Sequence, residues 1–211
     1  MTILSKIDQK GRSMVEMLGV LAIIGVLSVG GISGYSKAMA KFKLTKAQDQ
    51  MSMLLMNVRT AFATSPSYLG LNNGSAVSFG IAPADMTIQV KGGSTTSILG
   101  INTKLTNAFG GEVYVSSCDS SDIVSGKYDC SPNEYLNTSN TELEQYFAIS
   151  FQNLSRDACF ALGGIDWGAD GLMGITINSN KHTSDEFPIK IKTVGSNCNS
   201  YADNKITWVY Y

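Results

Sequence analysis

KGRSMVEMLGVLAIIGVLSVGGISGYSKAMAKFKLTKAQDQMSMLLMNVRTAFATSP, residues 10–66, joins a long apolar run to a charged, periodic one. From Met14 to Gly34 the run is almost wholly apolar. It is about 20 residues long, enough for a helix to cross a bilayer at ~1.5 Å per residue. Past Tyr35 the character changes. Lys37, Lys41, Lys43 and Lys46 mark a solvated stretch, after which apolar residues recur at Leu44, Ala47, Met51, Leu54, Leu55, Val58, Ala61 and Phe62. Steps of three and four put those side chains on one helical face. Pro66 closes the pattern. The spacing therefore predicts one helix over about 13–65, apolar all round in residues 12–35 and amphipathic in residues 36–65. Such a helix requires a membrane or a bundle at one end and a packed domain at the other.

Working back from the apolar run, residues 1–11 (MTILSKIDQKG) are short, polar to mildly apolar, and carry Lys6 and Lys10. This basic flank predicts that the end stays cytoplasmic. An ordinary secretory signal places a small-residue cleavage site after its apolar run. Here the junction, Lys10-Gly11-Arg12, precedes it, so the apolar segment would be kept. One residue breaks the hydrophobic logic. Glu16 puts a carboxylate near the start of the run, which is costly in hydrocarbon without a partner. A cut after Gly11 would supply one, because the new α-amino group on Arg12 then lies nearby on the same chain or a neighbour's. Pairing between neighbours would cancel two charges and set the axial register. The plainer reading places Glu16 at the headgroup level of a simple anchor.

Gly30, Gly31 and Gly34 lie toward the end of the apolar half. Each interior glycine costs a helix about 0.5–1 kcal/mol relative to alanine. Gly30 and Gly34 form a GxxxG pair suited to close helix packing; alternatively the segment unwinds when helices pack into a fibre.

Beyond Pro66 the chain is rich in Gly, Ser, Thr and Asn, as expected of a secreted, strand-and-loop-rich head over residues 66–211. Short alternating runs predict strands around Met86–Val90 and at Glu112–Ser116, Tyr146–Phe151, Gly174–Asn178, Phe187–Lys192 and Lys205–Tyr211. Asn153–Gly163 reads as a helix capped by Ser155 and stopped by Gly163-Gly164. The fold class expected is α+β, an antiparallel sheet laid over the amphipathic half of the long helix. Trp167, Trp208, Tyr210 and Tyr211 read as sheet core or as a subunit contact.

Cys118, Cys130, Cys159 and Cys198 are the four cysteines, and His182 is the single histidine. That inventory argues against a Cys/His zinc site, and no metal or cofactor is expected. An even cysteine count behind an export signal points to disulfides in an oxidising compartment. Of the three possible pairings, Cys118–Cys130 (local) and Cys159–Cys198 (a short helix tied to the C-terminal strands) are preferred. Their loops predict stabilisation of ~3 and ~4 kcal/mol.

Sixteen basic residues against 17 acidic ones do not indicate a polyanion-binding surface, so no nucleic-acid partner is expected. Catalytic signals are absent as well. No GxSxG opens a helix, no phosphate-binding glycine motif occurs, and His182 falls in a polar stretch read as loop. Asp166 and Asp170 lack EF-hand spacing, and Glu142 and Glu144 fit an exposed surface at least as well as a hydrolase pair. The chain is not expected to be an enzyme.

The stretch from Lys10 through Gly11, Arg12 and Glu16 into LAIIGVLSVGG resembles the class III signal of type IV prepilins. The resemblance implies that a membrane prepilin peptidase cuts after Gly11 and that N-terminal methylation falls on Arg12. It makes Glu16 the fifth-position glutamate of assembly. Family members usually have an apolar residue first after the cut, where this chain has Arg12. NLSRDACFALGGIDWG, the later Cys198 and the final KITWVYY further resemble the PilS-type IVb pilins of thin and conjugative pili. Cys159 and Cys198 would then bound the disulfide-linked variable region.

Implied is a major pilin, held single-pass in the inner membrane with its head in the periplasm and then polymerised into an extracellular filament. Adhesion, cell–cell contact or conjugation would be its use. Implied partners are identical subunits, the peptidase, the inner-membrane assembly platform, lipid before assembly, and a minor pilin or adhesin at the tip. A minor pilin or type II secretion pseudopilin shares the leader and helix. A membrane-anchored periplasmic binding protein or enzyme is the reading from another class.

Overall fold

The computed structural model describes residues 14–89, 103–118, 145–167 and 171–211. The chain divides into two compact units at Phe42–Lys43. Helix α1, Met14–Ala61, contributes to both. In the first unit every described side chain but the half-buried Met39 is exposed. In the second, the predicted stripe turns inward. Ala47, Met51, Leu54 and Val58 are fully buried, with Leu44, Leu55 and Phe62 packed at the margin. Ala61 is exposed, and α1 stops there, four residues short of the predicted end. The chain tightens before Pro66: Ser65 N–H bonds to the Phe62 carbonyl, one residue short of the α-helical step.

Polar residues fix α1 within the second unit. Gln50, buried, donates from Nε2 to Asp85 (2.9 Å) and accepts the Ala108 N–H at 2.9 Å. Asn57 donates to the Ile81 carbonyl at 2.8 Å.

Among the described residues seven strands follow: β1 Thr87–Gln89, β2 Thr103–Thr106, β3 Glu112–Cys118, β4 Tyr146–Leu154, β5 Leu172–Ile177, β6 Asn180–Thr183 and β7 Asn204–Tyr210. They form one antiparallel sheet in the order β1-β2-β3-β4-β7-β5-β6. Register follows the side-chain period of two. Phe147, Ile149 and Phe151 of β4 and Ile206, Trp208 and Tyr210 of β7 join the α1 stripe in the main core. Ala148 and Val209, on the alternate positions, join Cys118 in a smaller cluster.

Short helices fill the corners: α2 Asn73–Ser78, α3 Arg156–Gly163 and α4 Ile191–Asn197. α3 has the expected cap and stop, with Ser155 Oγ accepting from Ala158 N–H and Gly164 at the C-cap, while Asn153 and Leu154, expected in the helix, belong to β4. Several elements differ from the expected ones. β2, β6 and α2 were not predicted, and Phe187–Lys192 is not a strand. Pro188 has no N–H for a ladder, and Val194 and Cys198, four apart and buried, favour a helical face instead. His182 was read as loop but lies on β6, buried.

Candidate functional site

Two sites follow from this architecture, the apolar half of α1 and the disulfide-framed part of the head.

In α1, Glu16 sits in the first turn, exposed, where a carboxylate faces the positive end of the helix dipole. Leu18, Leu21, Ile24 and Leu27 are each more than half exposed. This helix is long and apolar enough to cross a membrane. α1 remains helical through Gly30, Gly31 and Gly34, and a side chain built on any of the three would enter open space. Gly11 and Arg12, the expected cleavage and methylation residues, lie outside the described residues, so their pairing with Glu16 does too.

In the head, Cys159 on α3 is bonded to Cys198 at the end of α4, with Cα atoms 5.8 Å apart and both residues fully buried. Cys118 on β3 is also disulfide-bonded; its expected partner, Cys130, lies outside the described residues. The segment between Cys159 and Cys198 holds β5, β6 and α4, fixed by a set of asparagines that the sequence reading did not single out. Asn178, at the β5–β6 turn with φ 55°, donates to the Asn197 carbonyl (2.7 Å) and to Asn204 Oδ1 (3.0 Å). Asn204, fully buried, donates to the Leu154 and Ser200 carbonyls. Asparagine tolerates the left-handed region and offers donors and an acceptor from one short side chain. Asn178-Ser179 between alternating runs was the available signal.

His182 belongs to the same framework. Its Nδ1 is paired with Glu186 and its Nε2 faces Asn197 Nδ2 at 2.7 Å. With both nitrogens engaged and the ring buried, it braces β6 against α4. No group of three or more His, Cys, Asp or Glu that could hold a metal ion occurs among the described residues. Asp170, Glu142 and Glu144 lie outside the described residues.

Of the four aromatics singled out, Trp208 and Tyr210 are core, Trp167 is half-buried with its ring edge-on to Trp208, and Tyr211 is exposed. Arg59 of α1 lies over the Tyr210 ring, 5.4 Å from its centre. Burial pushes the Tyr210 phenol well above its ordinary value, against the opposing pull of Arg59.

A long N-terminal helix, apolar then amphipathic, with its second part under an antiparallel sheet, has a solved counterpart. The structure superposes on the crystal structure of type IV b pilin from Salmonella typhi with a TM-score of 0.50 and 18% identity, covering 80% of this chain and 97% of that one. This is the type IV pilin fold. Another similar structure is TcpA, a type IV pilin from Vibrio cholerae El Tor biotype, at 12% identity and a TM-score of 0.45, covering 80% and 99%. The family model described as PilS N terminal matches residues 123–211, which include the Cys159–Cys198 frame and β7. No curated protein sequence matches significantly. The pilin-like chain is thus similar to type IVb pilins of the PilS type.

Proposed function

We propose that this chain is the major pilin of a type IVb pilus, a structural subunit rather than an enzyme. Residues 1–11 are a leader removed after Gly11, and Arg12 becomes the methylated N-terminus. Residues 12–35 anchor the subunit in the inner membrane and later form the fibre core; residues 36–65 carry the head, residues 66–211, first in the periplasm and then on the filament. Glu16 pairs with the α-amino group of a neighbouring subunit. Gly30, Gly31 and Gly34 let helices approach closely or unwind. Adhesion, cell–cell contact or conjugation is the use of the fibre. The observation that carries the reading is that α1 leaves its first half apolar and uncovered while its second half is fully integrated into a type IV pilin head.

Mass spectrometry of sheared surface filaments tests it. A chain starting at Arg12 as the dominant species is expected. A cell-bound protein still starting at Met1 overturns the proposal, and recovery at trace levels in a fibre of another subunit points to the minor-pilin reading. Glu16→Ala is expected to leave processing intact and abolish piliation; normal piliation would remove the role assigned to Glu16.

A further inference from the structure

Strand β3 outruns its neighbour on one side. β2 pairs with it at Leu105↔Val113 and Thr106↔Glu112, while Thr103 and Lys104 of β2 pair with β1. From Tyr114 to Cys118 the described residues put no strand beside β3 on that side. The other side is taken by β4, in register from Val113↔Phe151 to Cys118↔Tyr146. A strand edge left bare is a template for another chain.

This edge is not bare, because two residues that belong to no strand stand on it. The Leu71 carbonyl accepts the Ser117 N–H at 3.0 Å. Asn73 accepts the Val115 N–H on Oδ1 at 2.7 Å and donates from Nδ2 to the Val113 carbonyl at 2.9 Å. One side-chain amide thus supplies the acceptor and the donor that a neighbouring backbone would. The mimic is held from behind. Leu71 and Ala76 are buried, Asn72 and Ser75 close the capping box of α2, and Asn57 of α1 donates to the Ile81 carbonyl.

Parity along β3 says what this contact keeps out. Val113, Val115 and Ser117 aim their backbone groups at the surrogate; Tyr114 and Ser116 aim theirs at β4. A second β3, antiparallel about Ser116, sets each Val115 opposite a Ser117. Every Val115 N–H then meets a Ser117 carbonyl, and every Ser117 N–H a Val115 carbonyl, in a self-complementary pair. The faces match too, with Val115 on the core side and the two Ser116 residues meeting on the other. The β2 pairs end at Val113, short of this match.

We propose that Leu71 and Asn73 form a surrogate strand that shuts the β3 edge against a second copy of this chain. The contact held off is β3 to β3 about Ser116. The device works within one head and does not depend on the pilus reading above.

The test uses the full chain in detergent micelles, with Ser116→Cys as the reporter. In the β3–β3 pair the two 116 positions oppose each other without mutual hydrogen bonds, Cα atoms about 4.5 Å apart and within disulfide reach. Mild oxidation is followed by non-reducing electrophoresis and peptide mapping. Ser116→Cys alone is expected to stay monomeric, and adding Asn73→Ala is expected to give a dimer linked at position 116. Asn73→Asp keeps an acceptor for the Val115 N–H but loses the donor to Val113, so an intermediate yield is expected; it decides the matter if Asn73→Ala does not fold. Asn57→Ala loosens the same loop at Ile81 without touching β3, and is expected to leave the reporter monomeric. In dilute Asn73→Ala, hydrogen exchange at the Val115 amide should quicken about fivefold, the worth of one hydrogen bond. No dimer in a folded Asn73 variant overturns the proposal. So does a link at any other position, or an equal yield with Asn57→Ala, which would make general loosening the cause.

Discussion

Leu18 and Leu54 stand on the same helix, yet one is 65% exposed and the other fully buried. Helix formation does not distinguish them, because α1 is continuous through both. What differs is the source of burial. Around Leu54 the chain supplies its own cover, for Leu54 shares one core cluster with Phe147, Ile149, Trp208 and others. Around Leu18 the described residues supply no such cover, and burial there would come from lipid or from other helices. One secondary structure thus serves two solvents, and the same substitution carries different costs on either side of Phe42–Lys43.

The two tryptophans, Trp167 and Trp208, both lie in the head, so fluorescence during chemical unfolding reports that unit. The largest effect is expected from Cys159→Ser/Cys198→Ser. It releases a loop closed across 39 residues and lowers head stability by about 4 kcal/mol. Leu54→Ala comes next at about 3 kcal/mol, since it opens a cavity in a packed core. Leu21→Ala on the other half of α1 should leave the head transition within about 0.5 kcal/mol. Equal losses for Leu21 and Leu54 would mean the two halves are not energetically distinct.

Tyr210→Phe has the opposite sign. The hydroxyl is buried without a hydrogen-bond partner among the described residues, while the ring stacks on Phe147 and lies under Arg59. Removing the oxygen alone is expected to raise stability by up to about 1 kcal/mol in the same unfolding assay. A loss of that size would show that the hydroxyl is bonded.

The smallest effect concerns acid. Hydrogen bonds from Lys104 and then Tyr114 hold the Glu112 carboxyl below its ordinary value of 4.5, with burial opposing. A lowered folded-state value contributes stability above pH 4.5 that is lost as pH falls through the folded value. The pair is partly exposed, so the loss is a few tenths of a kcal/mol at most. It should vanish in Glu112→Gln when unfolding is followed from neutral pH into acid.

What could be read from the sequence tracks how local the determining interactions are. The α1 stripe, the Ser155 cap and the Gly163-Gly164 stop are set by neighbours within a turn, and they were legible. β3, β4 and β7 were legible because they are long and rich in β-branched and aromatic residues. β2 carries only Leu105 as a buried apolar residue, and its strand character comes from pairing with β1 and β3. β6 is polar and exists because the Asn178-Ser179 turn folds it back on β5. α2 left a readable trace, the reciprocal Asn72–Ser75 capping box, in a stretch where no helix was expected. At the candidate site, Glu16 was visible as a charge out of place. The asparagine framework was not, because its partners come from four separate segments.

The position of β7 has a bearing on timing. It lies between β4 and β5 and so joins the two parts of the sheet, although it follows every other strand in sequence. A chain emerging N-terminus first therefore displays β1–β4 and the β5–β6 hairpin as separate pieces, each with an open edge that invites foreign pairing. Cys159 and Cys198 both come out ahead of β7, so a covalent tether between α3 and α4 can form while the gap is still empty. The last strand then closes the sheet by insertion rather than by extension, and a chain stalled before Asn204 holds two half-sheets on one leash.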